Sequence, residues 1–251
     1  ILAQVWRQRH ARLPTMGAVE SNGAQQRRNG KGDLAREIDV EVDWGSSLGE
    51  QAAPCQVKQH GAEQIWEVHG LLTEKECQDL IAASEACGYG ATNYPKDYRG
   101  NLRLLATDRA LSQAVWRRLQ PHVPAVLEEE GVQWNAGGLN EVWRLAKYHP
   151  GDRFCGHCDA CFPRSKDEMS MLTVNIYLNG GFEGGQTRFY LHDKEHADIA
   201  VNPQPGSCLL FRQPPGKMYY HDGEELRSGV KYLCRSDVMY MRSSVAHAAG
   251  A

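Results

Sequence analysis

Residues 172–178 read Leu-Thr-Val-Asn-Ile-Tyr-Leu, a segment in which aliphatic residues occupy every second position. Alternation with a period of two is typical of a β-strand that turns one face toward a core. Similar segments recur from residue 140 onward, and clusters of Gly, Pro and Asp separate them. The other predicted strands are 142–148, 187–190, 208–211, 230–234 and 238–240.

Helical patterns precede this strand-rich region. Thr73 and Glu76 form a Thr-x-x-Glu capping box, which predicts the start of a helix, and Gly88 is a suitable C-terminal stop. Apolar spacing predicts a second helix over 111–119, and we expect a third helical stretch over 122–131. Helices followed by many short strands predict a mainly β fold with supporting helices, a sandwich or jelly roll.

The pattern also divides the chain into three parts. Residues 20–33 are polar, rich in Gly and without a hydrophobic period, so we interpret 1–62 as a poorly ordered leader, although 39–44 alternates like a short strand. The folded domain is then 63–242, and 243–251 is a disordered tail. Because the chain begins at Ile1 rather than Met, we expect a truncated N-terminus.

Composition excludes several classes of protein. The net charge is -3 and the sequence pI is about 6.4, so there is no electrostatic reason to expect nucleic acid or an anionic membrane as a partner. No stretch approaches the ~20 apolar residues that a membrane-spanning helix needs. Eight cysteines in 251 residues are too few for a disulfide-dense scaffold.

A candidate metal site lies within the strand-rich region. His157 and Asp159 are two residues apart, so on a strand their side chains would share one face, and His221 lies in another strand-rich segment. Two imidazoles and one carboxylate form the facial triad that suits non-haem Fe(II) and oxygen chemistry. Lys231 follows between Val230 and Tyr232, and a lysine that points into a barrel needs an anion to offset its desolvation.

Several motifs in the same order resemble those of a known family, the prolyl 4-hydroxylase type of Fe(II)/2-oxoglutarate-dependent dioxygenase. Residues 148–159 read Tyr-His-Pro-Gly-Asp-Arg-Phe-Cys-Gly-His-Cys-Asp, like the family's tyrosine, Pro-Gly turn, aromatic and His-x-Asp. The resemblance extends over about residues 64–242. Its other motifs are Leu172–Asn179, Gly184–Thr187, Pro205–Phe211, His221–Gly223, Gly229–Tyr232 and Arg235–Val238. Gln186 stands where the family usually has Glu, and Phe154 stands where some relatives have tyrosine.

The resemblance implies a double-stranded β-helix (jelly roll, cupin-like) with the metal inside. By position, His157, Asp159 and His221 would bind Fe(II), and Lys231 would pair with the distal carboxylate of 2-oxoglutarate, with Thr187 hydrogen-bonded to that carboxylate. The tyrosines that line the cosubstrate pocket would be Tyr148 and Tyr177. The implied reaction consumes O2, releases succinate and CO2, and uses ascorbate as reductant.

The family also implies a substrate. Its activity on proline in proteins or peptides favours a peptidyl-proline 4-hydroxylase, whereas related folds oxidise free amino acids, other side chains or small metabolites. The loop at 94–103, which carries Arg99, Asn101 and Arg103, either shapes substrate entry or is an ordinary polar connection. Family members work in the cytosol and in the lumen of the secretory pathway, so both compartments stay open.

Three other interpretations compete for the same residues. Residues 155–158 read Cys-Gly-His-Cys, which is also the active-site sequence of thiol–disulfide isomerases, but Pro163 interrupts the helix that this motif should open. Cys155, Cys158 and Cys161 have zinc-like spacing, yet a second cysteine pair is missing. A catalytically inactive oxygenase fold used for binding is the third, although all three ligands and the lysine are present.

Overall fold

The computed structural model describes residues 38–50 and 54–243. The described chain contains two α-helices, α1 (Glu74–Cys87) and α2 (Arg109–Leu119). Its first strands are β1 (Ile38–Glu41), β2 (Gln56–Gln59), β3 (Ile65–His69), β4 (Gly90–Ala91), β5 (Leu102–Thr107), β6 (Val126–Glu129), β7 (Val132–Leu139) and β8 (Val142–Tyr148). They are followed by β9 (Phe154–His157), β10 (Glu168–Tyr177), β11 (Glu183–Gly184), β12 (Thr187–Tyr190), β13 (Ile199–Val201), β14 (Cys208–Arg212), β15 (Tyr220–Gly223), β16 (Leu226–Ser228) and β17 (Lys231–Arg242).

Two sheets face each other. The larger sheet has the order β1-β5-β8-β17-β10-β14-β3-β2, and the smaller has the order β13-β12-β15-β9. From β8 onward the chain crosses repeatedly between them: β8, β10, β14 and β17 lie in the larger sheet, while β9, β12, β13 and β15 lie in the smaller. This alternation produces a double-stranded β-helix, so the predicted jelly roll is confirmed.

The two helices cover the outer face of the larger sheet. The predicted capping box is present, because the Thr73 hydroxyl accepts from the Glu76 backbone N–H while the Glu76 carboxylate accepts from the Thr73 N–H. Gly88 forms the C-terminal cap of α1. Apolar side chains of both helices join one buried cluster with the sheet, whose members include Cys77, Leu80, Leu111, Val115, Leu119, Trp143, Leu145 and Val238. This packing fixes the sheet on which the site is built.

The expected third helix over 122–131 is wrong. Val126–Glu129 forms β6 and pairs with β7 through a hairpin whose two turn residues, Glu130 and Gly131, have φ angles of 51° and 74°. Positive φ at both positions is the geometry of a tight hairpin turn, for which glycine is well suited. The expected strands 230–234 and 238–240 are also one continuous strand, β17, with a bulge against β7.

Part of the expected leader belongs to the sheet. β1 pairs in parallel with β5, and β2 pairs with β3, so segments from 38 and from 56 extend both edges of the larger sheet. The interpretation of 1–62 as poorly ordered is corrected for these strands. Residues 1–37, 51–53 and 244–251 lie outside the described residues, and the leader and tail boundaries there stay predictions. In the described ranges, no helix combines the length and the apolar character that a membrane span requires.

Candidate metal and cosubstrate site

The strand register brings the three predicted metal ligands together. His157 ends β9 and lies directly opposite His221 in β15, with the ring centroids 4.3 Å apart. Asp159 follows just beyond the end of β9, so the chain after the strand, rather than strand alternation, places its carboxylate. Asp159 Oδ1 is 3.6 Å from His157 Nε2, and Asp159 Oδ2 is 4.0 Å from His221 Nε2. One ligand atom from each residue lies within 4.8 Å of the others.

Backbone carbonyls set the tautomers of both histidines. His157 Nδ1 lies 2.9 Å from the Cys155 carbonyl oxygen, and His221 Nδ1 lies 3.0 Å from that of Tyr219. A carbonyl oxygen only accepts, so each Nδ1 carries the hydrogen and each Nε2 keeps its lone pair for a metal. Burial lowers the pKa of His221 to about 4, which keeps this imidazole neutral near pH 7.

The carboxylate ligand is held by two groups that the sequence analysis did not assign to the site. Asp159 Oδ2 accepts a hydrogen bond from the Thr173 hydroxyl at 2.7 Å and lies 3.1 Å from Arg235 Nη2. Burial alone would raise the pKa of Asp159, but Arg235 and the two histidines outweigh burial and hold it well below its usual range. The site therefore presents two imidazoles and one carboxylate anion, a donor set that fits Fe(II).

Aromatic rings surround the histidines and limit their rotation. The Phe154 ring stacks on His157 with centroids 3.7 Å apart. Phe189 and Phe211 flank His221 at centroid distances of 5.4 and 4.8 Å. Both phenylalanines are fully buried, so water reaches the inner side of the site poorly.

Lys231 lies buried in the same pocket, and Glu224 acts on it only from beyond ion-pair distance. It begins β17 opposite Tyr148, is 4% exposed, and donates a hydrogen bond from Nζ to the Gly185 carbonyl at 2.5 Å. Within the described residues, no carboxylate lies within ion-pair distance of Lys231. Burial lowers the pKa of this ammonium to about 8. A bound anion would offset that desolvation, so the residue fits a carboxylate-bearing cosubstrate.

The other predicted cosubstrate residues lie around Lys231. Its Nζ is 5.4 Å from the ring centroids of both Tyr148 and Tyr177. Tyr148 and Thr187 line the pocket, whereas Tyr177 stands behind Thr187 and shares a 2.7 Å hydrogen bond with it. Asn175 also lines the pocket, and its buried Oδ1 has no hydrogen-bond partner, so it is free to accept from a ligand.

The pocket has more positive charge than the sequence analysis assigned to it. Besides Lys231, it is lined by Arg99, Arg103, Arg144 and Arg235. The first two come from the 94–103 segment, for which the sequence left substrate entry and an ordinary polar connection open, and both line the pocket. Arg144 and Arg235 come from neighbouring strands and lie 3.0 and 3.5 Å from Asp237.

The clustered thiols do not form a redox or zinc site. The Cys-Gly-His-Cys sequence lies on and just after a strand, with no helix following, and the His157 imidazole turns toward Asp159. Burial raises the pKa of Cys158 and of Cys161, which disfavours the reactive thiolate. In the described part of the chain, the group with metal-ligand spacing is the His-Asp-His set and contains no cysteine.

Comparison with known proteins agrees with this geometry. The sequence profile of the 2OG-Fe(II) oxygenase superfamily matches residues 143–236, a segment that contains the His-Asp-His set and Lys231. The resemblance predicted from the sequence is thereby confirmed. No curated protein matches the chain.

Solved structures of prolyl hydroxylases are similar to this chain at low identity. One is a prolyl hydroxylase from Trichoplax adhaerens in complex with a peptide fragment of the hypoxia inducible factor oxygen degradation domain. It is 17% identical, with a TM-score of 0.52 over 70% of this chain and 84% of that chain. A Pseudomonas putida prolyl-4-hydroxylase is 18% identical, with a TM-score of 0.48 over 73% of this chain and 95% of that chain. At this identity the Trichoplax structure supports the fold.

Proposed function

We propose that this chain, whose residues 143–236 match the 2OG-Fe(II) oxygenase superfamily, hydroxylates proline in a peptide or protein at C4 and releases succinate and CO2. The observation that carries the oxygenase part is the pairing of a His-Asp-His set with Lys231, a buried cation without a carboxylate partner, in one pocket. The proline part rests on the sequence motifs and on the prolyl hydroxylases that share the fold.

Each predicted site residue has one proposed task. His157, Asp159 and His221 hold Fe(II), and Lys231 with Thr187 binds the distal carboxylate of 2-oxoglutarate. Bound Fe(II), 2-oxoglutarate and O2 supply the oxidising power for an unactivated C–H bond, with ascorbate as the proposed reductant.

The protein's own contribution is orientation and exclusion of water. Arg235 and Thr173 fix one oxygen of Asp159, which leaves its Oδ1 for the metal. Phe189 and Phe211 keep the inner wall apolar, and Tyr148 with Tyr177 surrounds the Lys231 ammonium with aromatic rings. A dry wall strengthens the attraction between the ammonium and a carboxylate.

The decisive experiment measures two products in one reaction. Purified protein with Fe(II), 2-oxoglutarate, ascorbate and proline-containing peptides should release succinate and yield peptides with one added oxygen on proline, read by mass spectrometry. Succinate release with oxygen added elsewhere would retain the oxygenase and remove the proline assignment. Absence of both iron binding and succinate release would remove the enzyme assignment.

A direct control tests the exclusion of a thiol–disulfide oxidoreductase. A Cys155→Ser, Cys158→Ser double variant should still release succinate, because neither thiol belongs to the His-Asp-His set. Iron-independent reduction of insulin disulfides, lost in the same variant, would instead support the redox activity.

A further inference from the structure

The pocket has more cations than the proposed reaction uses. Five cationic side chains line it: Lys231, Arg99, Arg103, Arg144 and Arg235. Two carboxylates also line it, Asp159 and Asp222.

Both carboxylates already have partners. Arg235 lies beside Asp159, and Arg188 binds Asp222 through two hydrogen bonds of 2.9 and 2.6 Å. Arg144 and Arg235 also lie beside the buried Asp237, at 3.0 and 3.5 Å.

Arg99 is the cation best placed to meet a substrate. Its half-buried guanidinium lies 4.3 Å from the Phe154 ring centroid, and Phe154 in turn stacks on His157. The Phe154 ring therefore lies between the Arg99 guanidinium and the proposed metal ligand His157. Its Nε donates to Asn101 Oδ1 at 3.0 Å.

The remaining donors of Arg99 have no counter-charge. Its two terminal nitrogens make no hydrogen bond within the described ranges, and no carboxylate there lies within ion-pair distance. The charged neighbours that act on it are Arg103 and Arg235, which repel it, and together with burial they lower the pKa of Arg99. Arg99 Cζ lies over the Phe154 ring, and a guanidinium held in this position can bind a carboxylate at two points.

We infer that the substrate carries a carboxylate near the carbon that is hydroxylated, and that Arg99 binds this carboxylate. The inference rests on the proposed oxygenase function and narrows its substrate class. The carboxylate has two possible sources: an acidic side chain beside the target residue of a peptide, or the α-carboxylate of a free amino acid.

The test compares matched substrates that differ in one charge. Proline peptides with Glu on either side of the proline are paired with the same peptides carrying Gln, and free proline forms a separate arm. We expect a KM at least about tenfold lower for the Glu peptide than for its Gln partner, which is about 1.4 kcal/mol. Turnover of free proline in place of peptides would assign the α-carboxylate as the source.

Arg99→Gln should remove this selectivity by raising the KM of the Glu peptide toward that of the Gln peptide. Arg153→Gln is the matched control, because Arg153 is exposed, contacts the same loop through the Asp97 carbonyl and does not line the pocket. That control should keep the full selectivity. Unchanged 2-oxoglutarate affinity in both variants shows that the pocket is intact.

A binding measurement separates this inference from the proline assignment. Calorimetry of the Mn(II)-loaded protein with 2-oxoglutarate, without oxygen, compares the Glu and Gln peptides and short acidic and amide peptides that lack proline. Acidic preference lost in Arg99→Gln supports the inference even if proline is never hydroxylated. Equal binding of acidic and amide ligands, or equal loss of both in Arg99→Gln, would overturn it while leaving succinate release as evidence for the oxygenase.

Discussion

Arg118 and Lys231 are both buried cations, but only Arg118 has its charge neutralised by the protein. Arg118 donates two hydrogen bonds to the Glu76 carboxylate at 2.9 and 2.7 Å, and it also donates to the carbonyls of Leu71 and Gly49. Lys231 has one carbonyl partner and no carboxylate in the described structure. A buried ion pair complete within the fold has a structural role, whereas a buried charge without its partner indicates a ligand.

The two regions also differ in what lies around them. Arg118 belongs to α2 and joins it to the start of α1, on the outer side of the larger sheet. Lys231 starts a central strand of that sheet and lies among tyrosines. Substitutions in the outer region around Arg118 should therefore change stability. Substitutions in the pocket around Lys231 should change ligand binding.

The largest effect is expected from the metal ligands. His157→Ala should abolish succinate release and iron binding, because the site loses one of two imidazoles. Its thermal unfolding should stay close to that of the unaltered protein, since His157 lies at a strand end in the pocket. His196→Ala, which removes an exposed histidine paired with Asp193, is the control and should keep full turnover. Iron binding retained in His157→Ala would contradict the assignment.

Breaking the complete ion pair should have the largest effect on stability. Arg118→Ala leaves the largely buried Glu76 carboxylate unpaired, which costs about 3–5 kcal/mol of unfolding free energy. Urea unfolding measures this difference. Lys75→Ala, which breaks the exposed pair with Asp79, should change stability by no more than about 0.5 kcal/mol. If Arg118→Ala lowers the unfolding free energy by less than about 1 kcal/mol, the Arg118–Glu76 pair does not have the structural role that distinguishes Arg118 from Lys231.

In contrast to Arg118→Ala, Lys231→Met should weaken ligand binding without lowering stability. Methionine keeps much of the side-chain length and removes a buried charge that lacks a carboxylate, so stability should be unchanged or increased by about 1 kcal/mol. Affinity for 2-oxoglutarate should fall about a hundredfold, which is about 2.7 kcal/mol. Calorimetry with 2-oxoglutarate measures the affinity, and iron binding to the same variant serves as the control. Destabilisation comparable to that of Arg118→Ala would make Lys231 a structural residue.

The sequence predicted those parts of the molecule whose signals are local. The capping box at Thr73 fixed the start of α1, and alternation fixed the bounds of β8 and β12. The candidate ligands emerged in the same way, because His-x-Asp, the distal histidine and the lysine occur in a recognisable order along the chain.

Features set by distant pairing escaped the sequence analysis. β2 is a strand because β3 lies beside it, and β6 is a strand because a two-residue turn folds it onto β7. Arg235 and Thr173 reach Asp159 only because β10 and β17 are neighbours and the chain after β9 passes over them. No periodicity along one segment encodes such contacts, so the charge of the pocket became visible only in three dimensions.

The smallest expected effect is the pH dependence of 2-oxoglutarate affinity that comes from Lys231. It tests most directly whether Lys231, unlike Arg118, lacks a counter-charge within the fold. Burial lowers its pKa to about 8, whereas an unfolded lysine titrates near ~10.4. The ammonium is present below pH 8 and is lost above it, so affinity for 2-oxoglutarate should weaken above pH 8 by up to about tenfold per pH unit.

The stability of the ligand-free protein should move the other way. Between pH 8 and about 10.4 the unfolded state binds more protons at this residue than the folded state does, so the contribution of Lys231 to stability rises with pH. Because other groups titrate in this range, the measured quantity is the difference between the unaltered protein and Lys231→Met, in both calorimetry and urea unfolding. A difference that stays flat from pH 7 to about 10 would show that the lysine already has its counter-charge within the fold, as Arg118 has.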